Sequence, residues 1–145
     1  MLINEVMTHG VKCTHPTTSL CEAALMMRDL DVGPLPVCDH GRLVGMLTDR
    51  DIAVRAVAEG SDPNATPVSE VMTSDVIFCF DDQEAEDAAH LMEANQVRRL
   101  IVLDRDKRMV GIVSLGDLAI QTRDDELVGN ALESISEPTF SVRGA

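Results

Sequence analysis

The chain has 145 residues and a mass of 15.7 kDa, the size of one ordinary domain. Twelve basic against 25 acidic residues give a net charge of −13 and a pI near 4.5, which repels phosphate backbones and anionic membranes and argues against general nucleic-acid or membrane binding. Apolar residues make up 45%, with no run long enough to span a bilayer and no signal-peptide layout, so a cytoplasmic protein is expected. With no Trp or Tyr and only three Phe, its core must be aliphatic, with methionines filling gaps.

In chain order, "NEVMTHGV" (Asn4 to Val11) comes first and returns as "SEVMTSDV" (Ser69 to Val76). "VKCTHP" reads as a short strand. A helix follows, with Ser19 and Glu22 as a capping box and Leu20, Ala23, Ala24, Met27 and Leu30 as its apolar stripe. "PLPVCD" is a second strand and "HGR" a turn. "LVGML", the third strand, runs directly into a second helix that begins near Asp51 and stops at Gly60. Residues 59–68, "EGSDPNATPV", are rich in turn formers and read as a linker.

The second half repeats this order. "VIFCFD" is a strand, and Asp81 or Asp82 can cap a helix with Ala85, Ala88, Ala89 and Met92 on its stripe. "RLIVLD" and "MVGIV" are strands around the turn "RDKR", and the last helix of the repeat starts near Asp117. Strand, helix, strand, strand, helix thus occurs twice, over 1–58 and 69–121. A half of this size buries a helix stripe and a sheet face poorly by itself. The expected architecture is an α/β fold, α+β in detail, whose halves pack through their sheets about a pseudo-twofold. Residues 122–145 form a terminal helix and tail. Leu127, Val128, Ala131, Leu132 and Ile135 share one face, suited to packing on the body, a second subunit or a partner protein, and "EPTFSVRGA" reads as a frayed end.

Little here supports catalysis. Cys13, Cys21, Cys38 and Cys79 contain no C-x-x-C pair and read as reduced, mostly buried thiols. His9, Cys13 and His15 could be joined as metal ligands, but one short segment without a second ligand pair is a weak zinc signal, and no metal is expected. His9, His15, His40 and His90 are otherwise scattered. There is no G-x-S-x-G, P-loop or metal-spaced His/Glu set, so an enzyme is not expected.

The informative stretch is "GMLTDRD" (Gly45, Thr48, Asp51) and its counterpart "GIVSLGD" (Gly111, Ser114, Asp117). Each puts a hydroxyl three residues before an aspartate where a strand becomes a helix. A helix N-terminus offers N–H groups and a positive dipole end to a phosphate. The hydroxyl can donate to a phosphate oxygen, and the carboxylate can accept from the cis-diol of a ribose. The same spacing also makes an ordinary helix cap. Its presence at the same place in both copies favours a ligand.

These motifs, with "EVMT" opening each half and "GPLPV" and "RRLIV" on the second strands, make the chain resemble a tandem pair of CBS domains over residues 3–121. Such a pair is also called a Bateman module, and "LTDRDI" is similar to small stand-alone bacterial members. Pro36 departs from the repeat, since Ile101 stands in its place. The resemblance implies a regulatory module without a catalytic cofactor. It would bind AMP, ADP or ATP, or else NAD or S-adenosylmethionine, form a homodimer and tune a separate protein. A ligand-independent interaction module is the alternative. The resemblance also implies composite pockets. Thr48, Arg50 and Asp51 would combine with Ile77, Arg98 and Arg99, and Ser114 and Asp117 with Val11, Gly33, Pro34 and Leu35. On that pattern the first pocket gathers the arginines and prefers more phosphate charge, while the second tolerates AMP, adenosine or a less charged adenosyl compound.

Overall fold

A computed structural model describes residues 1–138, so most of the expected frayed end, 139–145, lies outside the described residues. In chain order the elements are α1 (Ile3–Val6), β1 (Thr8–His9), α2 (Leu20–Leu30), β2 (Pro34–Asp39), β3 (Arg42–Thr48) and α3 (Asp49–Asp51). A more loosely wound helical stretch, Ile52–Val57, continues α3, and Val68–Glu70 forms one tight turn. Then come β4 (Phe78–Phe80), α4 (Ala85–Asn95), β5 (Arg99–Leu103), β6 (Met109–Ser114), α5 (Leu115–Thr122) and α6 (Asp125–Ser136).

The elements gather into two units, each with its own aliphatic core, and the units do not follow the repeat boundary. Among the described residues, the first-half unit holds 12–76 with 107–109, and the second-half unit holds 1–11, 77–106 and 110–138. Each "VMT" strip therefore belongs with the other repeat's elements. Ile3, Val6 and Met7 lie in one core with Ala88, Met92, Val102, Val113 and Leu118. Val68 and Val71 lie in the other with Leu20, Leu35, Val37 and Leu47.

The glycines of the two third strands make this exchange possible. Thr8 pairs with Ile112 and His9 with Gly111 across an antiparallel ladder. In the other unit Met46 and Thr73 exchange both backbone hydrogen bonds at 2.9 Å. A Cβ added at Gly111 would stand 2.6 Å from the Thr8 carbonyl oxygen, and one at Gly45 would stand 2.5 Å from Met72 Sδ and 3.0 Å from the Thr73 oxygen. The close approach of a backbone strip requires glycine at both positions.

The second-half unit carries a four-stranded sheet in the order β1-β6-β5-β4, with β4 parallel to β5. The first-half unit has the antiparallel pair β2-β3, with a bulge between Val37 and Cys38. Here the expected strand "VKCTHP" shrinks to one parallel bridge, Thr14 to Val37. The Thr14 N–H donates to the Pro36 carbonyl and the Cys38 N–H to the Thr14 carbonyl, both at 2.9 Å. The next rungs would need an N–H from Pro36 on one side and from Pro16 on the other, and neither proline has one. In the second-half unit Asp81 stands where Pro16 does, and its N–H makes the missing bond, to Leu103 at 2.9 Å.

The stripe of α4 is buried throughout, at Ala85, Ala88, Ala89 and Met92, whereas in α2 Leu20, Ala23 and Met27 are buried but Ala24 and Leu30 are exposed. Ser19 Oγ accepts from the Glu22 N–H at 3.2 Å. The cap of α4 corrects the reading at Asp81 or Asp82: the N-cap is Glu84, whose N–H donates to Asp87 at 3.1 Å. Asp82 is instead engaged by Arg105, which lies over the Phe80 ring. Both helices end in left-handed residues, Asp31 and Gln96. Gly60, at φ +76°, closes the helical stretch after α3. The terminal helix α6 packs on α4 and α5, burying Ala131 completely. No helix among the described residues is long and apolar enough to cross a membrane.

Candidate functional site

Each third strand delivers its hydroxyl residue, in extended conformation, to the start of a helix. Thr48 Oγ1 accepts from the Asp51 N–H at 3.1 Å, and Asp51 Oδ2 accepts from the Thr48 N–H at 3.0 Å. At the other junction Ser114 Oγ accepts from the Asp117 N–H at 3.0 Å, and Asp117 Oδ2 accepts from the Ser114 N–H at 2.9 Å. Both motifs are thus reciprocal capping boxes. Capping does not exhaust them. An accepting hydroxyl keeps its own proton to donate, and each carboxylate keeps a second oxygen. The motif can cap its helix and hold a ligand together.

The surroundings of the two boxes differ. In the first-half unit, Pro34 lies opposite Thr48 in the ladder and the Asp49 N–H donates to the Gly33 carbonyl at 3.0 Å. The Asp49 carboxylate takes the Arg50 N–H at 2.9 Å, and Asp51 Oδ1 lies 3.9 Å from Arg55 Nε. Every amide of this short first turn therefore has an acceptor inside the protein, and two carboxylates stand beside it.

In the second-half unit, the Leu115 N–H donates to the Arg98 carbonyl at 2.9 Å, the same bond in the other repeat. Arg98 and Arg99 occupy the places of Gly33 and Pro34, Leu115 replaces Asp49, and Gly116 replaces Arg50. Arg98, Arg99, Ser114, Leu115, Gly116, Ala119, Val128 and Leu132 line one open groove of about 410 Å³. That volume is within the range of small-molecule sites, about 300–1,000 Å³. With leucine at position 115, no carboxylate covers the Gly116 amide as Asp49 covers that of Arg50.

Within the second-half unit the arginine pair, read from sequence as serving Thr48 in a composite pocket, lines the groove of Ser114, so that motif has two cations beside it. Within the first-half unit Gly33 and Pro34 flank Thr48. Leu35 is 1% exposed and belongs to the first-half core, so its side chain is not at a surface. Arg50 is exposed beside Asp49. Val11 ends the first strip and Ile77 begins the second-half run of the chain, at the positions where the units change over.

Sequence reasoning missed Gly116, Ala119, Val128 and Leu132. The repeat carries no trace of α6, which follows it, and the available signal was the apolar face of that helix. His9 and Cys13 fall in different units, and the His9 ring meets the Asn4 carbonyl. His15 is held by Thr17 and Asp39. Among the described residues no three His, Cys, Asp or Glu side chains gather as metal ligands. Burial pushes the Cys79 thiol up to about 12, and burial together with the hydrogen bond and charge of the neighbouring Cys13, which favour the protonated form, does the same for Cys38.

Comparison with known proteins assigns a lineage to this geometry. The CBS domain model matches residues 3–57 and 68–121. The CBS domain-containing protein YhcV of Bacillus subtilis is 44% identical over 134 residues, spanning 92% of this chain and 94% of that one. Among solved structures, the CBS domain pair of protein MJ0100 in complex with 5′-methylthioadenosine and S-adenosyl-L-methionine is 29% identical, covering 85% of this chain and 96% of its own, with a TM-score of 0.72. CBSX2 in complex with AMP is 25% identical, covering 86% of this chain and 98% of its own, with a TM-score of 0.71.

Proposed function

This chain belongs to the CBS-domain family, and on that premise we propose that it is a regulatory, non-catalytic module that binds an adenosine-containing ligand and tunes a partner protein. The observation that carries this reading is the groove at the start of α5. There Arg98, Arg99 and Gly116 offer donors to an anionic group and Ser114 keeps its hydroxyl proton to donate, while Asp117, which caps Ser114 but is not part of the groove's lining, keeps a second oxygen to accept. Adenosyl ligands on the MJ0100 pair and on CBSX2 support the ligand class. The arginine pair favours a phosphorylated member, AMP, ADP or ATP, over adenosine or S-adenosylmethionine in this groove.

The chain acts as a homodimer in this proposal. Val54 and Ile120 are equivalent positions on the helices that follow the two motifs, and they are 50% and 71% exposed, with Val57 at 65%. Apolar side chains this exposed at matching places suit a self-complementary interface. A strict monomer in sedimentation at micromolar concentration would remove this part of the reading.

Thermal-shift measurement with AMP, ADP, ATP, NAD and S-adenosylmethionine tests the ligand class, since a ligand that binds only the folded chain raises Tm by mass action. At least one phosphorylated adenosine compound should raise Tm. No shift with any of them at millimolar concentration would leave an interaction module without a ligand.

A further inference from the structure

The groove in the second-half unit has a mixed lining. Arg98, Arg99, Ser114 and Gly116 make its polar part; Leu115, Ala119, Val128 and Leu132 make its apolar part. Val128 and Leu132 come from α6, which lies beyond the matched CBS repeats, 3–57 and 68–121. A nucleotide is divided in the same way, into a flat apolar base and an anionic phosphate. Resting on the reading above, we propose that α6 is part of the second groove's binding site, with Val128 and Leu132 forming the wall against which the base packs while the arginine pair holds the phosphate.

The packing supports a fixed wall. Ala131, on α6 between the two lining residues, is fully buried, and α6 is seated on α4 and α5. The side-chain amide of Gln96 donates to the carbonyls of Ser134 and Glu137 at 3.1 and 3.2 Å. Gln96 ends α4 two residues before Arg98, so the last turn of α6 is tied to the segment that presents the arginines. Leu132 is nonetheless 44% exposed, an apolar side chain lining a groove with half its surface in water. A base stacked there would cover surface that the fold leaves wet. In the first-half unit the helical stretch ending at Val57 is followed by Gly60 and the turn-rich segment 59–68, with no helix in the place of α6.

The test follows the Gly116 amide by NMR in the full chain, with AMP and, separately, inorganic pyrophosphate as probes. Leu132→Ala should weaken AMP about fivefold at this amide and leave pyrophosphate unchanged, because only the base touches α6. Val128→Ala should act in the same direction, and far-UV circular dichroism checks that each variant is folded. AMP that leaves the wild-type Gly116 amide unmoved refutes the nucleotide reading of the groove. AMP binding that is indifferent to both substitutions, or a loss shared equally by pyrophosphate, refutes the part given to α6 alone.

Discussion

The two strand-to-helix junctions share one backbone plan and carry opposite chemistry. Hydroxyl, aspartate, reciprocal caps and the strand-end carbonyl bond recur with distances that agree to about 0.1 Å. Around that constant frame, Gly-Pro faces Arg-Arg and Asp49 faces Leu115. One junction is sealed and acidic; the other is open and flanked by cations. The duplicated frame preserves what folding needs, and the substitutions around it set which charges stand beside each copy.

The largest effect expected from breaking this symmetry lies in the glycines beneath the strips. Gly111→Ala drives a Cβ toward the Thr8 backbone oxygen, and Gly45→Ala meets a movable methionine sulfur first. Denaturant titration should show a loss of about 2–3 kcal/mol for Gly111→Ala and less for Gly45→Ala. Equal losses would mean that the two strips are held alike.

Next in size is the ligand chemistry. Arg98→Ala/Arg99→Ala should weaken ATP about tenfold while leaving adenosine unchanged, a loss of roughly 1.4 kcal/mol that allows for the exposure of both side chains. Calorimetry decides it: adenosine falling in step with ATP would show that the pair shapes the groove without reading charge.

The caps should behave alike. Thr48→Ala and Ser114→Ala each remove a hydroxyl that accepts an amide, and each should lower stability by about 1 kcal/mol and Tm by roughly 3 °C. A cost near zero at Ser114 alone would mark that residue as held for its ligand rather than its helix.

The smallest effect concerns the shortened strand. Pro36→Ile restores the N–H found at Ile101 and should add one rung, worth about 0.5–1 kcal/mol, partly offset by greater freedom in the unfolded chain. Amide exchange at Thr14 and Cys38 is the sensitive measurement, and protection that does not rise would mean the proline is not what limits the ladder.

These contrasts also mark what was legible in the amino-acid sequence. The duplication, the α4 stripe, the core of the α2 stripe, the Ser19 cap and the end at Gly60 are local patterns, and each stands in the structure where its residues predicted, while Ala24 and Leu30 at the rim of the α2 stripe stay exposed. The Pro16 and Pro36 effect was local too, but it needed the parallel register before the missing donors could be seen. Exchange of the strips was not legible, because "EVMT" is identical in both copies and fits either third strand equally well. The place of the arginines within their own unit was not legible either: Arg98 and Arg99 sit one strand away from Ser114, and only the bond from the Leu115 amide to the Arg98 carbonyl shows that they flank that junction.

Exchange of the strips bears on how such a chain could be cut. Severing it within 59–67 would give two fragments, each carrying the strip its partner lacks and missing the strip it needs. Neither should fold well alone, and mixing them should restore both cores, as in complementation between protein fragments. A lone repeat would face the same shortage and could meet it by trading strips with a second copy of itself, as domain-swapped dimers do. Joining two such copies end to end would turn that intermolecular trade into an intramolecular one, independent of protein concentration.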